Sequence, residues 1–505
     1  MNRIILVMLM VCASSTGFIF SQDFSEKTSE AVRETDNLER DEETNEAAGE
    51  AGNIELKEKL HNLIGKSDKI ELKLDFPLFD FPYQIDTMNT AGYGFFGSYS
   101  SLSMDQSLAL TMDVYSSMHF GLKKLYDSLT LAPIWKNVIY IGGTAAGILT
   151  FAYVLPFGYP WMQQEYRRSI LSRFDISSRN VMYDIFNTTA GYGVTDAQLE
   201  RFKAENPHDM IRMYEAGTEG YILFSDHMMR NRFFYDLDNL SNYTALFASI
   251  VGIIFPNAML LNANSTGAAA VDMSTNVLYD NDGGEESRML YGNSSINWVY
   301  DLFRPDEPYS ARGIHPSGSG IARYITWEQL SGDERDYLTK QVYLSLLNFS
   351  SPLLAGLNAF PLGKSGLKGN FAVYHYLTSF GSDVPVQIFL KKAPFNMLFT
   401  WHSYQNYHTY FPAIEAQLFE FPLQFTPKFG LLLSPRVLLG AQPKNQEFRT
   451  SAPEFLGLFG LRVDFVIDKH ILPFIDFSVK TAGWVAGNEY LNANASVKLG
   501  VSLRY

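Results

Sequence analysis

The stretch VKLGVSLRY, residues 497–505, closes the sequence in strict alternation. Val497, Leu499, Val501, Leu503 and Tyr505 are apolar, whereas Lys498, Gly500, Ser502 and Arg504 are polar or small. A period of two places these sets on opposite faces of an extended strand, one apolar and one wet. The same period runs upstream. In 455–467, Phe455, Phe459, Leu461, Val463 and Phe465 share one face and Arg462 and Asp464 the other. In 471–480, Ile475, Phe477 and Val479 oppose Asp476, Ser478 and Lys480. Further strands are predicted over 371–378, 386–392, 395–404, 414–425 and 429–439. Roughly eight strands of about ten residues match a small transmembrane barrel.

Composition narrows the function classes. The 505 residues carry a formal charge of −14, and no clustered Lys and Arg offer the phosphate neutralisation that a nucleic-acid partner requires. Eleven Asp and Glu against Lys27, Arg33 and Arg40 between residues 23 and 50 supply −8 of that charge. The aromatic fraction of 14%, mostly Phe and Tyr, suits the girdles of a membrane barrel as well as a crowded core. The single cysteine, Cys12, excludes a disulfide framework and a cysteine metal site.

Residues 1–22, MNRIILVMLMVCASSTGFIFSQ, combine Arg3, an apolar run and small residues up to Ser21, the pattern of a secretory signal peptide. Residues 23–66 read as an acidic, disordered linker. Residues 67–350 form a mainly helical region. It opens on alternating, Pro-containing text at 70–86, and it contains two long apolar runs, 137–155 and 243–261. Each run has about the length that crosses a hydrocarbon core, and Gly143 and Gly147 make a small-xxx-small stripe in the first. A membrane hairpin and a pair of central helices in a helical domain both fit these residues. Helices are also predicted from Trp161, over 197–205 and over 208–232. Ser331 and Glu334 form a capping box opening another, and 262–323 reads as a long irregular connection.

The closing residues resemble the C-terminal assembly signal of bacterial outer-membrane β-barrel proteins. A polar residue, a glycine, a hydrophobic residue and a terminal aromatic fall at Lys498, Gly500, Leu503 and Tyr505. The resemblance covers roughly residues 371–505. It implies an α+β membrane protein: an N-terminal helical region, then an antiparallel transmembrane β-barrel of residues 351–505 inserted by the barrel-assembly machinery. Lipid of the outer membrane is then one partner, and a periplasmic protein a second candidate. The mixed charges on the polar face, Arg462, Asp464, Asp476, Lys480, Lys498 and Arg504, favour a plugged barrel over a porin.

Chemistry is harder to find. Residues 163–168, QQEYRR, resemble the H-E-x-x-H helix of zinc metallopeptidases, with Glu165 at the catalytic position. The ligand positions hold Gln164 and Arg168, and Arg cannot ligate zinc. Glu219 is a candidate acidic ligand without a spacing rule to fix it. The alternative is a polar helix face with Glu165 and Arg168 paired at i, i+3. His402 and Ser403 are adjacent and so point to opposite faces of a strand, which denies them the H-x-S geometry of barrel hydrolases. Arg312, His315 and Arg323 belong to a charged, Pro- and Gly-rich segment, 304–327, that suits a plug, a docking surface or a packed connector. The expectation is therefore a barrel that anchors a helical domain acting in envelope assembly, transport or a protein complex. A membrane hydrolase that uses zinc and a small-solute channel are the alternatives; the first reading needs no cofactor.

Overall fold

A computed structural model describes residues 70–88, 90, 101–153, 157–180, 191–235, 244–246, 248–249, 285–288, 290, 294–315, 318–426 and 429–505. The expected signal peptide, the acidic linker and most of the second apolar run lie outside them. Helices and sheet belong to one unit, Lys59–Tyr505.

Among the described residues, strand β1 (Lys73–Phe81) is followed by seven principal helices: α1 (Met104–Ser128), α2 (Pro133–Tyr153), α3 (Tyr159–Ser172), α4 (Asp196–Glu205), α5 (Pro207–Tyr235), α6 (Ser294–Phe303) and α7 (Gly332–Ser345). Capping boxes fix three starts. Ser103, Thr195 and Ser331 each accept a hydrogen bond from the backbone N–H three residues on, and Gln106, Gln198 and Glu334 reach back. Helix α6 falls in the stretch expected to be irregular, where Asn, Ser and Gly around it obscure a short apolar run.

The remaining long strands are β2 (Lys368–Val373), β3 (Val386–Lys392), β4 (Phe395–Gln405), β5 (Tyr410–Leu418), β6 (Phe429–Pro443), β7 (Pro453–Val466), β8 (Ile471–Lys480) and β9 (Asn494–Arg504). They build an antiparallel sheet in the order β1-β9-β8-β7-β6-β5-β4-β3-β2, ending on the short strand Phe360–Pro361. With the short strands Tyr376–Thr378, Gly381–Asp383 and Phe421–Thr426 the count is thirteen, not eight. The path is also open: β1 and Phe360–Pro361 do not pair, so the sheet is not a closed barrel. The miscount has a local cause. The stretch 414–425 reads as one strand because Tyr410–Leu418 and Phe421–Thr426 run in the same direction against β6; only an irregularity at Phe419 and Glu420, the latter in a left-handed conformation with φ 53°, divides them.

Both free edges are blunted. The Asp75 N–H of β1, which points away from β9, donates to Asp113 Oδ1 of α1 at 2.9 Å, and the Gln106 side chain donates to the Pro77 carbonyl at 3.1 Å. At the other edge Asn348 accepts from the His375 N–H at 2.7 Å, and Ser350 from the Val373 N–H at 3.2 Å. An edge whose polar groups are occupied is a poor template for further strands.

The sheet has two unlike faces. Its outer face leaves a large apolar side chain exposed on every long strand, among them Phe79, Phe371, Ile388, Trp401, Ile414 and Phe459. Its inner face packs on α1 and α5. Helix α5 has 29 residues, about 44 Å. Its first half packs on α3 and α4. Its second half lies along the sheet, where Phe233 and Phe234 meet Phe389 at ring distances of 5.5 and 6.1 Å. No described helix is long and apolar enough to cross a membrane.

Candidate functional site

Between α1, α5 and the inner sheet face lies a cavity of about 290 Å³. Five carboxyl groups (Asp75, Asp105, Asp113, Glu420, Asp476) and five basic side chains (Lys73, Arg230, Arg436, Arg462, Lys498) line it. Most are paired across structural layers. Arg462 of β7 donates to Asp75 of β1 and to Asp464 of its own strand, both at 2.8 Å. Glu420 accepts from Arg504 at 2.9 Å and from the Tyr235 hydroxyl at 2.6 Å, and Lys73 lies 3.1 Å away. Lys498 of β9 reaches Asp105 of α1 at 2.8 Å. Each such pair costs desolvation and returns it only in one geometry, so the set fixes where the helices lie against the sheet.

The residues of the terminal motif take distinct places in this arrangement. Lys498 and Gly500 face inward, and Arg504 joins them. A side chain at Gly500 would collide with the Phe474 ring and the Phe76 carbonyl. That ring in turn carries the Arg462 guanidinium 3.8 Å from its centre. Leu503 is half-buried, and Tyr505 is exposed and stacked on His470, while its backbone exchanges hydrogen bonds with Leu72. The glycine of the motif therefore has a packing reason inside this chain.

Above the cavity, the connection between β8 and β9, residues 481–493, tucks into the helices with Trp484, Val485 and Leu491 buried. Glu219 accepts from the Gly487 N–H, Glu215 accepts from the Trp484 indole at 2.9 Å, and Arg212 binds both carboxylates and the Asn488 carbonyl. Arg173 donates to the Glu489 carbonyl and lies 3.9 Å from the Tyr490 ring centre. Burial pushes the Glu489 carboxyl up to about 7, and the negative charge of Asp80 adds to the effect. In sequence this segment reads as a Gly- and Asn-rich loop, within which Trp484, Val485, Tyr490 and Leu491 are the large apolar positions.

Glu165 is buried and accepts from Arg168 at 2.5 Å and from Asn180 at 2.8 Å on one oxygen, with the Leu102 N–H 3.4 Å from the other. Gln164 is buried beside Arg167, whose guanidinium lies 3.4 Å from its side-chain oxygen. Glu219 belongs to the Arg212 cluster instead. These residues do not fit a zinc ion: the carboxylate in the water-activating position is already bound by a guanidinium, and its neighbours are not ligands. Among the described residues no group of three His, Cys, Asp or Glu is placed to hold a metal.

The 304–327 segment packs as a connector. Arg312 binds Asp301 at 2.7 Å, and Asp301 also takes Lys203 at 2.7 Å. Arg323 forks onto Asp196 at 2.8 and 3.0 Å and onto the Val194 carbonyl. His315 is buried within a turn whose N–H donates to the Gly320 carbonyl. Sequence reasoning missed one grouping. His402 and Ser403 do point apart, but His402 Nδ1 lies 2.7 Å from Asp383 and Nε2 3.5 Å from Glu415, which Arg436 clamps at 2.8 Å. Both ring nitrogens face carboxylates, so the imidazole ties three strands together.

Comparison of the chain with known protein families, with curated proteins and with solved structures gave no match.

Proposed function

We propose that this chain is an integral protein of a bacterial outer membrane, in which the sheet is embedded in lipid and holds the helices as a fixed body acting in envelope assembly, transport or a protein complex. One observation carries the reading: the sheet is two-faced, apolar outward along every long strand and charged inward against packed helices. An exposed apolar surface of that extent is unusual on a soluble monomer and is what a lipid-facing sheet requires. Insertion through the barrel-assembly machinery, using Lys498, Gly500, Leu503 and Tyr505, belongs to the same reading.

The inner face favours an anchor over a channel. Helices and paired charges fill the space that a porin leaves to water. Turn lengths favour one orientation. At the end of the sheet where β9 finishes, β3 and β4 are joined by two residues and β7 and β8 by four. At the opposite end, the connections 444–452 and 481–493 are longer and the helical body lies there. Barrels keep short turns on the periplasmic side and long connections outside. On that rule the helical body faces outward, and a protein partner would be met there rather than in the periplasm.

Fractionation of a Gram-negative host expressing the full chain tests the reading. The protein is expected in the outer-membrane fraction, to resist carbonate and high salt, and to need detergent for release. Release by carbonate alone would refute embedding. Discrete conductance steps in planar bilayers would favour the channel.

A further inference from the structure

We infer that α1 and α2 continue the wall of the open sheet, and that one face of α2 is a contact surface for lipid acyl chains. This rests on the membrane reading above. Helix α1 occupies the free edge of β1 through Gln106 and Asp113. Its opposite side receives α2: side chains at Gly147 and Gly143 would collide with Met118 and crowd Leu122 of α1. At about 100° per residue, the β1-facing pair and the α2-facing pair point roughly 150° apart around α1. The cavity-lining Met112 and Ser116 fall between them, on one side only. Sheet edge, α1 and α2 therefore stand nearly in a row, with the cavity on one side of that row.

Helix α2 has the dimensions and the polarity of a wall element. Its 21 residues span about 32 Å, against a hydrocarbon thickness of about 30 Å, and it runs antiparallel to the second half of α1. Tyr140, Thr144, Ile148 and Ala152 form its buried stripe. The exposed face carries Trp135, Val138, Ile139, Gly142, Ala145 and Leu149, without a charge. Its average hydropathy falls short of a lone membrane helix because Lys136, Asn137 and Thr144 are averaged with this face. A wall element needs only its outward side to be apolar, as the strands of the sheet do. The small residues Gly143 and Gly147 then serve close approach of α2 to α1.

Spin labels test this in the full chain carrying Cys12→Ser, which removes the single native thiol. A nitroxide is attached at Val138→Cys, and separately at Ile475→Cys on the outer sheet face, in phosphatidylethanolamine–phosphatidylglycerol vesicles. Oxygen, which concentrates in lipid, is expected to relax both labels severalfold more than a water-soluble nickel chelate. Leu149→Cys carries the same expectation should Val138→Cys fail to fold. A label at 138 reached mainly by the chelate, or by neither agent, with 475 still favouring oxygen, would overturn the α2 assignment alone. Chelate access at 475 would overturn the membrane reading, and this inference with it.

Discussion

Strand β7 places Phe459 and Arg462 three residues apart on opposite faces of one sheet, and their surroundings have nothing in common. Phe459 is 42% exposed. Arg462 is clamped between two carboxylates over the ring of Phe474. The outer face is defined by what it lacks, since no protein group competes for its side chains. The inner face is defined by partners drawn from far along the sequence. One face asks only for apolarity, whereas the other asks for particular residues, because a buried charge is tolerated only beside its counter-charge.

Substitutions on the two faces should separate these demands. The largest effect is expected from Arg462→Met, which leaves Asp464, only 1% exposed, without its guanidinium. Loss of one partner of a buried pair costs about 3–5 kcal/mol. It should appear as a marked drop in the thermal midpoint of the detergent-solubilised protein. An unchanged midpoint would mean that the inner charges are solvated and do not fix the helices.

Phe459→Arg probes the outer face of the same strand. At mid-strand an arginine facing lipid should cost about 2–4 kcal/mol, measured in vesicles, and almost nothing if that face meets water. The contrast between vesicle and aqueous environments is what distinguishes it from the inner-face substitution.

The most local effect is in the segment 481–493 that joins the sheet to the helices. Glu489 is pushed up to about 7 in the fold from an ordinary value of 4.5. The folded state therefore binds its proton more tightly than the unfolded chain. Stability from this group is full below about 4.5, falls as pH rises between about 4.5 and 7, and levels off above. Tryptophan fluorescence followed through thermal melts across this range should show the decline, and Glu489→Gln should flatten it. A rise in stability over the same window would contradict the assignment.

Much of the fold was legible because strand polarity is local. Alternation marked β7, β8 and β9, and the capping box at Ser331 marked the start of α7. Of the five extra strands, β1 lies outside the run read as a barrel, one is set off from β5 only by the irregularity at Phe419 and Glu420, and three have only two or three residues. The segment 70–86 read as extended, but nothing in it announced that β1 would pair with β9. The candidate site was less legible than the fold. Arg462, Asp464, Asp476 and Lys498 were recognisable as an inward charged face, but their partners Asp75, Asp105 and Glu420 lie on other elements. In sequence Glu165 stands out as a candidate catalytic group and Glu219 as a candidate metal ligand, and the structure gives each a guanidinium instead.

By itself the sequence determined that the strands are two-faced, because backbone geometry sends successive side chains to opposite sides whatever lies around them. Only the tertiary structure decided which charge meets which, that the sheet stays open, and that a helix covers its edge. Those outcomes depend on contacts such as Asp75 with Ser502, 427 residues apart, and no local pattern encodes a pairing over that distance.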